Sequence, residues 1–450
     1  MKVKAVYIPT FLLVANFIVS LPQVAATFSS IRLGGFSLIG VVRVGLLPVL
    51  LFILIDTVKS RRIKKIGSRF WIEMILPIFA FLILLIFQIF TLPSRALSGH
   101  LSGSADYVFL WLSYLCIVLN LNNETAYKTL QIISLVFLLI FIAAIIQYPY
   151  LIISSGKNLL GVLSSYGQSG KIKTFALFAS ANEDANAIMT LFPFALFYIE
   201  KTSGIKRVIL RAIILIYIPA ILLFNGTRTA LIISFPFILS LFYSNLSFKK
   251  TISLFPFLVP IIGLIYIFTY SFVGSAFSRE AADEGSLNWR MENLWIPATT
   301  YTREHSPLVG FGSLGWDYVS RAIEIGYGSG SFLKIIPSHN LYVWSYVGWG
   351  TIGLSILLVF IAILFKGSFK LSKLKNFKLS SLSKTVFCSI FGYCIWGCIS
   401  NAFMPAGWSI FYSLGIIIAS MRIILVESNK QFFEYKTNLE YQILPPYIKD

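Results

Sequence analysis

Residues 337–365 read PSHNLYVWSYVGWGTIGLSILLVFIAILF, and this stretch decides the fold. Its first four residues close a long hydrophilic segment, whereas Leu341–Phe365 contains no charged side chain. An α-helix of about 20 apolar residues crosses a hydrocarbon core of about 30 Å. We therefore expect Leu341–Phe365 to span a membrane, with His339 at the point where hydrocarbon meets water. An ionisable side chain at such a boundary is a functional candidate.

The composition of the whole chain indicates the same class of protein. Hydrophobic residues make up 57% of the 450 residues and charged residues 12%, and the mean hydropathy is +0.80. Soluble domains are about one half apolar and about one quarter charged, so this composition excludes them. The net charge of +19 would suggest nucleic acid as the partner of a soluble protein. In a membrane protein it reports basic cytoplasmic loops instead, so we expect no nucleic acid partner.

Twelve apolar blocks predict an all-α polytopic membrane protein with about twelve transmembrane helices and one long extracytoplasmic loop. The blocks are Val6–Leu21, Phe36–Thr57, Phe70–Leu92, Tyr107–Leu121, Leu130–Ile153, Asn182–Ile199, Val208–Phe224, Thr229–Tyr243, Ile252–Val273, Leu341–Phe365, Thr385–Phe403 and Ser409–Val426. The chain divides accordingly into helices one to nine (1–273), the loop (274–338), helices ten to twelve (339–426) and a tail (427–450).

Basic residues set the expected orientation. With a cytoplasmic N-terminus, every dense basic cluster falls on the cytoplasmic side, as the positive-inside rule requires. These clusters lie within 59–69, 201–211, 249–250 and 366–384. The same arrangement places the C-terminal tail in the cytoplasm and the 274–338 loop outside it. That loop balances five basic residues against seven carboxylates, so it carries a small negative charge.

Two arginines join His339 as candidates for chemistry. Arg228 lies between two apolar blocks with almost no loop to carry it into solvent, so it needs an anionic partner or an aqueous cavity, or else it snorkels to lipid headgroups. Arg290 lies on a helix-compatible stretch of the loop, where the plainer alternative is a solvated pair with a nearby glutamate. For His339 the plainer alternative is a local hydrogen bond at a helix start. His100 and His305 are expected to be solvated loop residues.

Five short motifs stand in a fixed order along the second half of this pattern. They are Asp184-Ala185-Asn186-Ala187, Gly226-Thr227-Arg228, Trp289-Arg290 with Trp295, Pro307–Gly312, and Ser338-His339-Asn340. In this order and topology they resemble the O-antigen polymerase and O-antigen ligase superfamily. The resemblance covers residues 180–355 well and the rest of the chain only as a pattern of spans.

The resemblance implies a C-type glycosyltransferase of the bacterial inner membrane, with a site that faces the periplasm. Such proteins take a glycan from undecaprenyl pyrophosphate and pass it to the hydroxyl of an acceptor sugar. His339 is then the catalytic base, because imidazole titrates near neutral pH. Arg228 and Arg290 bind the pyrophosphate, because guanidinium binds phosphate oxygens in a bidentate way. Asn186, Asn340 and Tyr342 are candidates for contacts with sugar or for orienting the imidazole.

The resemblance implies no cofactor, and the arginines take the place of a divalent metal. The partners implied are a lipid-linked oligosaccharide, membrane lipid and a protein that regulates chain length. Polymerase and ligase need the same donor chemistry; we favour the polymerase because the loop lacks the basic excess expected for docking an anionic lipid A core. A transporter or flippase is the non-enzymatic alternative. Transporters show internal repeats with broken helices at matching places, and the sequence shows neither.

Overall fold

The computed structural model describes residues 7–19, 32–33, 36–59, 68–154, 181–210, 287–327, 333–336, 338–374, 377–398 and 411–426. Within this part the architecture is helical, apart from two antiparallel pairs of two-residue strands. The first six helices are α1 (Tyr7–Val19), α2 (Leu38–Lys59), α3 (Ser68–Thr91), α4 (Ser94–Asn120), α5 (Asn123–Ser154) and α6 (Ala181–Glu200). The strand pairs are β1 (Arg32–Leu33) with β2 (Phe36–Ser37), and β3 (Gly326–Tyr327) with β4 (Lys334–Ile335).

The remaining helices lie on both sides of His339. They are α7 (Leu287–Arg290), a π-helical turn (Met291–Trp295), α8 (Ile296–His305), α9 (Gly315–Ala322), α10 (Leu341–Ser372), α11 (Phe377–Gly397) and α12 (Phe411–Val426). Helix α10 packs against α11 and α3, and α11 packs in turn against α6. The segment of α8 and α9 packs against the first half of α10, so the fold brings polar residues onto the start of a long apolar helix.

Four described helical stretches are long and apolar enough to cross a membrane: Ile72–Thr91, Gly103–Asn120, Asn123–Ala143 and Leu341–Ser372. They support an all-α membrane protein. The count of twelve spans and the division into loop and tail stay predictions. Most of the predicted spans between 208 and 273, and the 427–450 tail, lie outside the described residues.

Helix α10 is interrupted at Gly350, where φ is 62° and ψ is −164°. Only glycine adopts this backbone region readily, because it has no Cβ. Trp349, just before the break, is completely buried and packs edge-on against Phe81 (4.7 Å between ring centroids) and Trp344 (4.9 Å). This is one break in one helix, and the sequence pattern did not predict it.

The backbone groups that the break frees are bonded by the turn at 307–312. Thr351 and Ile352 donate their N–H groups to the carbonyls of Pro307 and Leu308, at 2.9 and 3.1 Å. In the other direction, Gly312 donates to the Gly348 carbonyl at 2.7 Å. A buried backbone group without a partner is costly, so the turn and the break need each other. The break thus docks the polar segment onto α10.

One buried glutamine reinforces this junction from α3. The Gln88 amide donates to the Gly348 carbonyl at 2.9 Å and also to the Val309 carbonyl, so one side chain joins both partners of the junction. At the far end of α10, the Glu73 carboxylate pairs with Lys366 (3.3 Å) and Arg422 (3.1 Å). Polar contacts therefore tie α10 to α3 near both ends.

Candidate functional site

The segment that carries His339 is anchored by two tryptophan side chains. Trp316 of α9 donates its indole N–H to the Ile336 carbonyl at 2.8 Å. Trp295, at the end of the π-helical turn, donates to the Ser338 carbonyl at 2.6 Å. An indole has one donor on a rigid ring, so each bond fixes the position of its carbonyl. The backbone just ahead of His339 is held at two points.

His339 adopts a left-handed backbone conformation, with φ at 51°, which histidine tolerates better than most residues. The next residue, Asn340, is extended and caps α10. Its Oδ1 accepts from the backbone N–H groups of Tyr342 and Val343, both at 2.9 Å. The reversal of φ between these two neighbours starts the helix and places the half-buried His339 directly ahead of its first turn.

The side chains of Asn340 and Tyr342 also tie α10 to α11. The Asn340 Nδ2 donates to the Cys398 carbonyl, and the Tyr342 hydroxyl donates to the Cys394 carbonyl, each at 2.9 Å. These bonds hold the start of α10 on its neighbour. The geometry therefore favours a positioning role for both residues, and a contact with sugar stays a prediction.

The structure brings Arg290 close to His339. Burial of the imidazole and, second, the positive charge of Arg290 lower the pKa of His339 to about 4. The imidazole is therefore neutral at pH 7 and lies beside a permanent cation. Arg290 is half-buried and immediately precedes the π-helical turn, a local distortion that often accompanies functional sites.

For two predicted site residues, the position of the side chain lies outside the described part of the structure. Arg228 lies outside the described residues. Asn186 lies in the first turns of α6, but its side chain lies outside the described part of the chain. Their roles stay predictions. As to metals, no group of three or more His, Cys, Asp or Glu side chains converges within the described ranges.

The other two histidines have different settings. The expectation that His100 is solvated is wrong: its side chain is 1% exposed. Its Nδ1 accepts from the Ser313 backbone N–H at 3.1 Å, so the proton lies on Nε2, which donates to the Leu85 carbonyl at 2.9 Å. His305 is exposed, as expected, and stacks on Tyr301 with 4.1 Å between ring centroids.

Sequence reasoning missed the indole donors of Trp295 and Trp316 and the clamp formed by Gln88. The signal for Gln88 was present, since it is an uncharged polar residue inside the apolar block Phe70–Leu92. Glutamine is costly in a membrane unless its amide finds partners. The two indoles gave no such signal, because tryptophan near a membrane boundary is common without any specific hydrogen bond.

Several helices are long and apolar enough to cross a membrane, and a neutral imidazole lies near a guanidinium just before the start of one of them. These features are typical of an integral membrane protein with an ionisable site at the end of a membrane-length helix. Residues 212–358 match the family model described as O-Antigen ligase. The match confirms, over these residues, the predicted resemblance to the O-antigen polymerase and ligase superfamily. Arg290, His339, Asn340 and Tyr342 lie within the matched range, and Asn186 does not. No curated protein matches the chain.

Proposed function

We propose that this protein is an O-antigen, or surface polysaccharide, polymerase of the bacterial inner membrane. It transfers a glycan from undecaprenyl pyrophosphate to the acceptor sugar of another lipid-linked repeat unit, on the periplasmic side. The observation that carries the proposal is the neutral, half-buried imidazole of His339 beside the charge of Arg290. The match of residues 212–358 to the O-Antigen ligase model supports glycosyl transfer as the type of reaction.

In the proposed reaction the acceptor hydroxyl oxygen forms a bond to the anomeric carbon of the donor. His339 takes the hydroxyl proton onto its unprotonated ring nitrogen, which it can do because the imidazole is neutral at pH 7. The bond from the anomeric carbon to the phosphate oxygen breaks, and its electron pair leaves with the diphosphate. Arg290 and Arg228 stabilise that negative charge, so the step requires neither cofactor nor metal.

The neighbouring polar residues support this arrangement. Asn340 orients His339, because it caps the helix that begins immediately after the base. Tyr342 fixes the same helix start on α11. Asn186 is proposed to contact sugar, and membrane lipid surrounds the polyprenyl chain. A separate protein that regulates chain length is the remaining proposed partner.

Replacement of His339 tests the base. In liposomes that contain the purified protein and its lipid-linked repeat unit, His339→Gln should still bind donor but lose transfer by about 10²–10⁴-fold, the usual contribution of general base catalysis. His305→Gln is the matched control, since His305 is an exposed histidine of the same loop. Unimpaired transfer by the His339 variant would reject the assignment.

The ligase is the second candidate, because the matching family model is described as O-Antigen ligase. The negative charge of the loop favours the polymerase, because lipid A core is itself anionic. Deletion of the gene followed by glycan sizing separates the two. Single repeat units on lipid A mean that a polymerase was lost, whereas long chains left on the carrier lipid mean that a ligase was lost.

A transporter is less well supported than either enzyme. The break in α10 is one feature that transporters share. However, its freed backbone groups are bonded by the 307–312 turn, where a transporter would use them to coordinate a substrate or an ion. Continued donor binding with loss of transfer in His339→Gln would also exclude a purely transporting role.

A further inference from the structure

The starting observation is the hydrogen bond between Trp295 and Ser338, which joins two separate parts of the site. Trp295 lies five residues after Arg290 on one continuous helical stretch, 287–305. The carbonyl that accepts its indole N–H belongs to the residue directly before His339. The bond therefore connects the element that carries the cation to the segment that carries the imidazole.

We infer that Trp295 is a positioning residue for transfer, whose indole N–H sets the separation between Arg290 and His339. This inference rests on the proposed function, because the separation matters when Arg290 holds the leaving diphosphate and His339 receives the proton. The diphosphate and the attacking hydroxyl lie on opposite sides of one anomeric carbon. Their spacing is then fixed by the two protein groups that bind them.

The geometry around the bond supports a role beyond packing. The Ser338 side chain is completely buried, and the Ser338 carbonyl receives the indole at 2.6 Å. His339 follows with φ at 51°, so a rotation of the Ser338 peptide would also turn the base. On the other side, Asn340 is fixed by the capping bonds. Loss of the indole bond removes the restraint that the helix of Arg290 places on the backbone before His339.

The chain offers a matched comparison in Trp316. Its indole N–H also donates to a carbonyl of this segment, that of Ile336, but from α9 and therefore not from the helix of Arg290. Trp295→Phe and Trp316→Phe each remove one indole N–H and keep an aromatic ring. Both should destabilise the protein to a similar extent. Only Trp295→Phe should change the relation between Arg290 and His339.

The first readout is the pKa of His339, measured by NMR titration of protein labelled at histidine Cε1. The chain has three histidines, so His339→Gln assigns the signal. Trp295→Phe should raise the pKa of His339 from about 4 toward its usual value, because the Arg290 charge moves away. Trp316→Phe should leave it unchanged. In an Arg290→Gln background the effect of Trp295→Phe should shrink, because residues that act through one another are not additive.

The second readout is the rate of transfer. Trp295→Phe should lower kcat by on the order of 10- to 100-fold, as misplacement of reacting groups does, with the KM for donor nearly unchanged. Trp316→Phe should retain most of its kcat. If the Phe variant fails to fold, replacement of the Trp295 indole by benzothiophene removes the N–H and keeps the shape of the ring.

These readouts separate the two proposals. An unchanged pKa of His339 in Trp295→Phe, or the same rise in Trp316→Phe, overturns the positioning role. A full Trp295→Phe shift in the Arg290→Gln background overturns it as well. Unimpaired transfer in His339→Gln overturns the proposed function instead, and the titration measures the Trp295 contact in either case.

Discussion

Replacement of Gly350 by alanine should be among the most damaging single-methyl additions in the described part of the chain. Alanine there would have to keep φ at 62° and ψ at −164°, a strain of about 1–3 kcal/mol. Its Cβ would also lie 2.3 Å from the carbonyl carbon and oxygen of Leu308. These are backbone atoms, so the clash is relieved only if the 307–312 turn withdraws from α10.

Withdrawal of the turn would break backbone hydrogen bonds on both sides of the break. The bonds from Gly312, Thr351 and Ile352 contribute about 1 kcal/mol each, so strain and lost bonds together amount to about 4–6 kcal/mol. That is a large part of the roughly 5–15 kcal/mol that stabilises a typical folded protein. We expect Gly350→Ala to unfold at a much lower temperature and to lose transfer activity.

Alanine replacements at two further glycines distinguish the effect of backbone strain from that of a steric clash of the new Cβ. Gly204 has φ at 63° but nothing within 4 Å of a new Cβ, so Gly204→Ala should cost only about 1–2 kcal/mol. Gly45 lies in α2 with φ outside the left-handed region and with open space around it, so Gly45→Ala should cost almost nothing. Thermal unfolding in detergent, followed by tryptophan fluorescence, measures all three. Equal losses at Gly350 and Gly204 would refute the argument that the turn holds the break.

Two further predictions concern polar residues of the site, and a third concerns the buried His100. Arg290→Gln removes the cation beside His339, so NMR should show the pKa of His339 rising from about 4; an unchanged midpoint contradicts their proximity. Asn340→Ala should lower the free energy of unfolding by about 1–2 kcal/mol, because it removes the cap of α10. Asn340→Asp should lower it by less, because aspartate keeps the capping oxygen. Equal losses of the two variants in denaturant titrations would contradict the capping role. Burial also lowers the pKa of His100, which precedes the candidate span Gly103–Asn120. The unfolded chain therefore binds the proton more tightly, and stability should fall as pH drops below about 6.5. His100→Gln should flatten that fall in plots of unfolding temperature against pH, and an unaltered slope would exclude the effect.

Hydrophobic blocks predicted where many of the helices lie, because in a membrane the backbone has few alternatives to the helix. The block Leu341–Phe365 begins at the residue where α10 begins, and the polar residue before it is the cap. The break at Gly350 could not be predicted in this way. A glycine inside an apolar run favours close helix packing as readily as a break, and the partner that decides between them lies some forty residues earlier, at 307–312.

The candidate site was predictable in kind but not in detail. The ionisable residue types indicated candidate side chains for chemistry, and burial and the charge of Arg290 lower the pKa of one of them, His339. Their catalytic and binding roles stay predictions. The roles of amides and indoles depend on which carbonyl lies within reach, which only the fold determines. Asn340 illustrates this, since its donor reaches Cys398, 58 residues away along the chain. The prediction for His100 was wrong for the same reason. Its position outside the apolar blocks suggested exposure to solvent, whereas its Nδ1 accepts a hydrogen bond from Ser313, 213 residues away along the chain.

The low pKa of His339 has a consequence for the order of events in the proposed reaction. In the free protein the charge of Arg290 weakens the base that transfer needs. A diphosphate bound to Arg290 would cancel that charge and raise the pKa of His339, so the donor strengthens its own base. An acceptor hydroxyl that arrives first meets an imidazole of low basicity. On the proposed function, the base therefore becomes effective only once the leaving group is in place. The pH profile of kcat reports the donor complex, and the profile of kcat/KM with varied donor reports the free protein. The fall in kcat at acid pH should then have its midpoint at a higher pH than the fall in kcat/KM.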